Sequence, residues 1–264
     1  MKIHLPFRRK AADQTRVPLR ADFPVLDGVQ IAASYSGARM GGDFFDVVPT
    51  PSGRIILVIM DIAGLRTSAL EIAAQAQEVF RERAKALFAH KNMNEADATT
   101  ELTLVLNRAV LAAAKGPRCS PAFVASYSPE LGSLTYVNAG HMPGFVVDSQ
   151  DITQLSSNGL PLGLFSHVVH DAQVCILGES DAFVIASRGV AECRASKEDF
   201  GIEGIHKALT EASRQSALEL CEGLLRVAHQ HSGRHAPVND MTALALLRDA
   251  RLRAAAPASV SAGT

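Results

Sequence analysis

The chain has 264 residues, 47% of them hydrophobic and 20% charged, which is enough to bury one sizeable core and too apolar for a disordered protein. Lysine and arginine number 26 against 27 aspartate and glutamate, a formal net charge of -1, so the general electrostatic case for a nucleic acid or an acidic membrane face falls away. The cysteines Cys119, Cys175, Cys193 and Cys221 lie far apart with no CxxC pair. Neither a zinc knuckle nor a disulfide framework is written there, and a reducing cytoplasm is the expected setting.

The first 20 residues carry Lys2, Arg8, Arg9, Lys10, Arg16 and Arg20 against Asp13 alone. They lack the apolar run of a signal peptide, and nothing along the chain approaches the roughly 18 apolar residues of a membrane span. Residues 1–21 are read as a solvated basic arm, 22–248 as one domain, and 249–264, ending AAAPASVSAGT, as a frayed tail.

Inside the domain the first β-type run is Val29, Ile31, Ala33 and Tyr35, alternating with less apolar neighbours. Residues 55–60 form a continuous apolar run, expected to be a strand buried on both faces. These two strands are expected to pair as a hairpin whose link contains Pro49-Thr50-Pro51-Ser52-Gly53. A helix is predicted from Ser68, because Ser68 and Glu71 spell a capping box and Ile72, Ala76, Val79, Phe80 and Leu87 follow at helical spacing. Leu102, Val105, Leu106, Ala109, Val110 and Ala113 write a second helix, stopped by Gly116 and Pro117.

Further β-type runs occupy 123–127, 134–137, 145–147, 174–177 and 183–186, a largely antiparallel set. Ser216 and Glu219 repeat the capping box before Leu220, Leu224 and Val227, Ser232-Gly233 closes that helix, and 243–247 is the last strand. Strands and helices arrive in blocks, which argues for α+β or layered sheets over a doubly wound parallel sheet.

Chemistry is carried by acidic residues beside glycines at strand ends, since a hard cation needs carboxylate oxygens and a closely approaching backbone. Three places qualify: Gly41-Gly42-Asp43-Phe44-Phe45-Asp46, Asp61-Ile62-Ala63-Gly64 after the buried strand, and Asn239-Asp240-Met241-Thr242 before the last. Singly, each reads as a turn former or cap. Two more segments are distinctive in the same order: Asn138-Ala139-Gly140-His141-Met142-Pro143 and Gly159-Leu160-Pro161-Leu162-Gly163.

Together the five segments resemble the SpoIIE-like branch of the metal-dependent protein phosphatase (PPM) superfamily, from about residue 22 to about 248. The resemblance implies an α-β-β-α sandwich of two antiparallel sheets flanked by helices, with carboxylates at one edge holding two Mn²⁺ or Mg²⁺ ions. It also implies a hydrolase in which a metal-bridging water attacks a phosphoserine or phosphothreonine. Two cations would lower that water's pKa, neutralise the phosphoryl oxygens and align attack with departure.

Carried over residue by residue, the resemblance assigns the catalytic and metal roles to Asp43 and Asp61, a backbone carbonyl to Ile62, and the last segment to Asn239 with Asp240 in support. Two ligand positions are substituted. The family's S/T-D-G reads Ser187-Arg188-Gly189 here, and its D-D or D-N reads Asn239-Asp240. An amide oxygen coordinates but neutralises less charge, and a guanidinium cannot coordinate at all. The Mn²⁺ or Mg²⁺ site is therefore expected to be weak, single-ion or absent. Arg188 is expected to turn inward onto Asp61 or Asp43, whose carboxylates its planar donors fit.

His141 is read as loop support. His229, His231 and His235 are too poorly spaced for a zinc site. Arg39 and Arg66 are weaker candidates for meeting a phosphate. The implied role is a catalytically impaired phosphatase, or pseudophosphatase, in bacterial partner-switching signalling and sigma-factor control. Its expected partner is a phosphoprotein such as an anti-sigma-factor antagonist, with no nucleic acid and no membrane; the alternative is an active enzyme with a reduced metal site.

Overall fold

The computed structural model describes residues 21, 23–24, 26–37, 42–195, 198–233 and 239–249. In chain order the strands and helices are β1 (Val29–Ser36), β2 (Asp43–Pro49), β3 (Ile55–Asp61), α1 (Arg66–Leu87), α2 (Glu95–Ala114), β4 (Ala122–Ser128), β5 (Ser133–Ala139), β6 (Gly144–Val147), β7 (Ile152–Leu155), β8 (Gln173–Ile176), β9 (Ala182–Ala186), α3 (Arg188–Ala191), β10 (Arg194–Ala195), β11 (Glu198–Asp199), α4 (Gly201–Thr210), α5 (Ala217–Ser232) and β12 (Met241–Arg248).

Two five-stranded sheets, ordered β1-β12-β9-β6-β7 and β2-β3-β4-β5-β8, carry the architecture, and the paired strands within both are antiparallel. The period-2 alternation of side chains sorts three layers of core. On β3, Ile56, Val58 and Met60 face α1 and α2, where they meet Ile72, Phe80, Leu102 and Leu106. Ile55, Leu57 and Ile59 face the other sheet. On β12, Leu244 and Leu246 point inward between the sheets, while Ala243, Ala245 and Leu247 pack beneath α5 on Leu220 and Leu224. Phe123 of β4 stacks on Phe183 of β9 at 5.3 Å between centroids, joining the two sheets. The result is the α-β-β-α sandwich expected of the sequence.

Several local expectations change. Strand β1 pairs with β12, residue 29 opposite 248, and takes no part in a hairpin with β3. The true partner of β3 is β2. The Pro49–Gly53 link does turn the chain, with the Thr50 and Arg54 backbones bonded at 2.9 Å, but it closes β2 onto β3. Helix α1 starts at Arg66, two residues before the predicted cap, with Leu65 as N-cap. Ser68 lies inside the first turn and its hydroxyl donates to the Leu65 carbonyl at 2.9 Å, so no capping box forms.

At α5 the same motif does cap: the Glu219 N–H donates to Ser216 Oγ at 3.1 Å. Helix α2 is capped by Asn94, whose side chain accepts from the backbone of Ala96 and Asp97, and ends where Lys115 adopts a left-handed conformation before Gly116. Helices α3 and α4 and strands β2, β7, β10 and β11 were not predicted.

Of the basic arm and the tail, all but Ala21 and Asp249 lie outside the described residues. Asp249 is still tied to the fold, its N–H donating to Gly28 and its carboxylate accepting from Gln30 at 2.6 Å. All four cysteines are free thiols. Among the described residues no helix is long and apolar enough to cross a membrane.

Candidate active site

The ends of four strands, two from each sheet, meet at one end of the sandwich. Asp43 opens β2 and Asp61 closes β3, and the antiparallel register sets them directly opposite one another. Ser187 and Arg188 follow β9, and Asn239 and Asp240 lead into β12, its neighbour in the other sheet. Asp43, Asp61, Ile62, Arg188, Asn239 and Asp240 thereby line a single cleft of about 280 Å³. Widely separated in sequence, the residues named from the motifs are brought together.

Two close backbone approaches shape the cleft. A Cβ at position 42 would run into the Ile62 carbonyl oxygen, and one at position 189 into that of Asp240. Only glycine lets those segments lie so near. The Ile62 N–H also donates to the Gly42 carbonyl at 3.1 Å, fixing the turn after Asp61. Gly41 and Arg39 lie outside the described residues.

The two sheets are stitched together at Asp43, whose Oδ2 accepts from Thr242 Oγ1 at 2.8 Å. Burial pushes the Asp43 carboxyl up to about 7. Hydrogen bonds from Ser187 and Thr242 work against that rise, and the charges of Asp61 and Asp240 add to it. Asp61 is also raised by burial, with Arg188 pulling it down and Glu192 pushing it up.

Arg188 does not turn inward. Its Nε donates to Glu192 Oε1 at 2.5 Å across one turn of chain, and its side chain is 66% exposed. The i, i+4 geometry at the start of α3 makes Glu192 the nearer carboxylate. Arg188 reaches Asp61 only through space, as the lowering of that group records. Glu192 Oε2 in turn accepts from Asn239 Nδ2 at 2.8 Å. One carboxylate thus accepts from both Arg188 and Asn239. Sequence reasoning quoted Ser187 and Thr242 within its motifs without giving them a role, and missed Glu192, four residues after Arg188.

The donor chemistry decides whether a pair of divalent ions suits this cleft. Hard cations need several anionic oxygens converging, yet among the described residues no three His, Cys, Asp or Glu side chains are grouped to hold one. Glu192 accepts from Arg188 and Asn239, and Asp43 accepts from Thr242. Of the four ligand positions the resemblance names, Asp43 and Asp61 bring carboxylate oxygens while Arg188 and Asn239 bring none.

The remaining candidates sort themselves. His141 supports its loop: its N–H donates to Asn138 Oδ1 at 2.9 Å, and its Nδ1 lies 3.2 Å from the Met142 carbonyl. His229 bonds Ser36 Oγ at 2.7 Å while His231 meets the Glu198 carbonyl, so the two rings serve different partners. His235 lies outside the described residues, and Arg66 is exposed at the first position of α1.

Residues 51–249 match the profile of Stage II sporulation protein E (SpoIIE). Over 104 residues the chain is 31% identical to the phosphoserine phosphatase RsbU of Bacillus subtilis (strain 168), covering 39% of this chain and 31% of that protein. The structure of the RsbU and RsbW domains of Rv1364c from Mycobacterium tuberculosis superposes with a TM-score of 0.73 at 22% identity, over 91% of this chain and 64% of that one. The SiaA-PP2C domain of Pseudomonas aeruginosa superposes with a TM-score of 0.70 at 15% identity, over 83% of this chain and 86% of that domain. At these identities the structures speak for the fold, which is of the PP2C type. The chain thus spans about a third of its curated relative and about two thirds of the first structural one. With three quarters of its length inside the profile, the chain belongs to the SpoIIE family.

Proposed function

We propose that this domain is a PPM-type protein serine/threonine phosphatase fold whose two-metal catalysis is impaired, and that it works in bacterial partner switching as a cytoplasmic pseudophosphatase. Its partner would be a phosphoprotein such as an anti-sigma-factor antagonist, a reading supported by the likeness to RsbU. The observation that carries the impairment is the Arg188–Glu192–Asn239 arrangement. It puts a fixed cation and a neutral amide where the family resemblance expects ligand aspartates, and engages the nearest spare carboxylate. At ~4 Å and an effective dielectric of about 20, each unit charge so altered weighs roughly 4 kcal/mol against a cation before desolvation.

A second reading is favoured by Asp43 and Asp61 facing each other: an active phosphoserine phosphatase using one Mn²⁺ or Mg²⁺ ion, with Ile62, Asn239 or Asp240 completing the set. Calorimetric titration with Mn²⁺ separates the two, read beside hydrolysis of p-nitrophenyl phosphate and a phosphoserine peptide. The impaired reading expects negligible heat and turnover in the native protein, and a gain of at least tenfold in Mn²⁺ affinity in Arg188→Asp combined with Asn239→Asp. Mn²⁺-dependent turnover in the native protein, abolished by Asp61→Asn, would overturn it in favour of the second.

A further inference from the structure

Strand β8 lies at one edge of its sheet, bonded to β5 alone. Side chains alternate along it. Val174 and Ile176 share the face on which Ala172 packs against the helical layer, yet they are 59% and 63% exposed, whereas Cys175 turns into the core between the sheets. Leu131, 62% exposed, stands in the turn that leads into β5, beside the end of β8. Exposed edges are usually blunted by a lysine, a proline or a bulge. Residues 173–176 carry no charge and no proline.

The register tells which backbone groups of β8 are free. The Leu177 N–H donates to the Gly132 carbonyl at 2.8 Å, one step beyond the pair of Ile176 with Ser133. Bonding alternates along an antiparallel ladder, so residues 173, 175 and 177 bond toward β5, and the N–H and C=O groups of Val174 and Ile176 point outward. These outward groups are placed symmetrically about Cys175, and among the described residues none has a backbone partner.

We infer that two copies of this chain pair antiparallel through β8, on a two-fold axis at Cys175, and join their sheets into one. Val174 of one copy then lies opposite Ile176 of the other, every outward group finds a partner, and the exposed apolar side chains meet across the junction. Any other antiparallel register pairs fewer of these groups. Cys175 faces its own copy in a non-hydrogen-bonded pair with Cα atoms about 4.5 Å apart, inside the roughly 4.4–6.8 Å that a disulfide spans. A closed two-fold uses the same strand twice and needs no second surface. The strand sets no charge against its like, and the exposed Asp171 and Glu179 beyond its two ends are screened by salt. The interface is small, so the dimer is weak and concentration-dependent. It is independent of how the cleft is read.

Two measurements on the full chain test it. In sedimentation equilibrium from about 1 to about 500 μM, the average mass is expected to rise towards twice that of one chain, more steeply in about 0.5 M salt than in about 0.05 M. Val174→Lys and Ile176→Lys, at positions already exposed, should keep the chain monomeric with unchanged thermal unfolding. A mass that stays at one chain throughout would overturn the inference and leave the edge to a strand of another protein. A dimer that both lysine variants leave intact would overturn it as well.

The second is oxidative cross-linking with copper phenanthroline in a Cys119→Ser background, which removes the exposed thiol while Cys193 and Cys221 stay buried. A covalent dimer is expected, depleted at least tenfold by Cys175→Ser and by Val174→Lys. A cross-link that survives Cys175→Ser, or none at concentrations where the mass shows a dimer, would put the contact elsewhere and sink the pairing through β8.

Discussion

Asp43 holds the least comfortable charge in the cleft. Its carboxyl is raised from 3.8 to about 7, chiefly by burial. The folded state therefore binds a proton that the unfolded chain has released, and stability should fall as pH climbs from about 4 to about 7, levelling off above. Asp43→Asn keeps an acceptor for Thr242 and removes the charge. Chemical denaturation at pH 5 and pH 8 should show most of that decline gone in the variant, a difference on the order of 2 kcal/mol.

This scale is also where the sequence was most informative about chemistry. Asp43, Asp61, Asn239 and Asp240 could be named from short motifs because acids and glycines at strand ends leave a local signature, whereas Arg188 was reached only through the family resemblance. Glu192 could not, because its part depends on one turn of α3 and on Asn239, 47 residues away in the chain. Nor could the direction of Arg188, which is decided by which carboxylate the helix start presents to it.

Between elements, the tie of β2 to α1 is a buried ion pair. Asp46 is fully buried and accepts from Arg81 Nε at 2.6 Å and Nη2 at 3.1 Å, and from Gln77 Nε2 at 3.1 Å. Arg81→Ala would leave that carboxylate without its cation, and is expected to cost about 3 kcal/mol in urea unfolding. Asp46→Asn should cost less, since it removes the stranded charge while keeping one acceptor for the same donors.

Strand β2 itself escaped prediction because Asp46 and the flanking glycines interrupt its apolar pattern, and this buried pair explains how a charge comes to sit in the core. Helix α4 escaped because Gly201 and Gly204 weaken its signal. The two S-x-x-E strings show why a motif is only a local statement. Ser216 follows a non-helical stretch and caps, whereas Ser68 lies within a turn that Arg66 has already begun. Runs with an unbroken period, such as residues 55–60 and the α2 stripe, were legible because burial on both faces or on one helical stripe leaves no competing pattern.

For the molecule as a whole, the inner layer between the sheets determines whether the four strand ends arrive together. Phe123 stacks on Tyr136 within its own sheet at 5.2 Å and on Phe183 of the opposite sheet at 5.3 Å. Phe123→Ala should cost about 3–5 kcal/mol, read by thermal unfolding. The layered arrangement followed from the block order of elements. Which strands neighbour which did not, since β1 and β12 pair across more than two hundred residues and chain proximity carries no trace of that.

The single carboxylate shared by Arg188 and Asn239 has a consequence for how the cleft can change over time. An acid introduced at either position alone would face Glu192 as a like charge, having just lost the donor that satisfied it. The two positions therefore behave as one coupled unit, and the first acid introduced at either is expected to be the costlier step, whichever comes first.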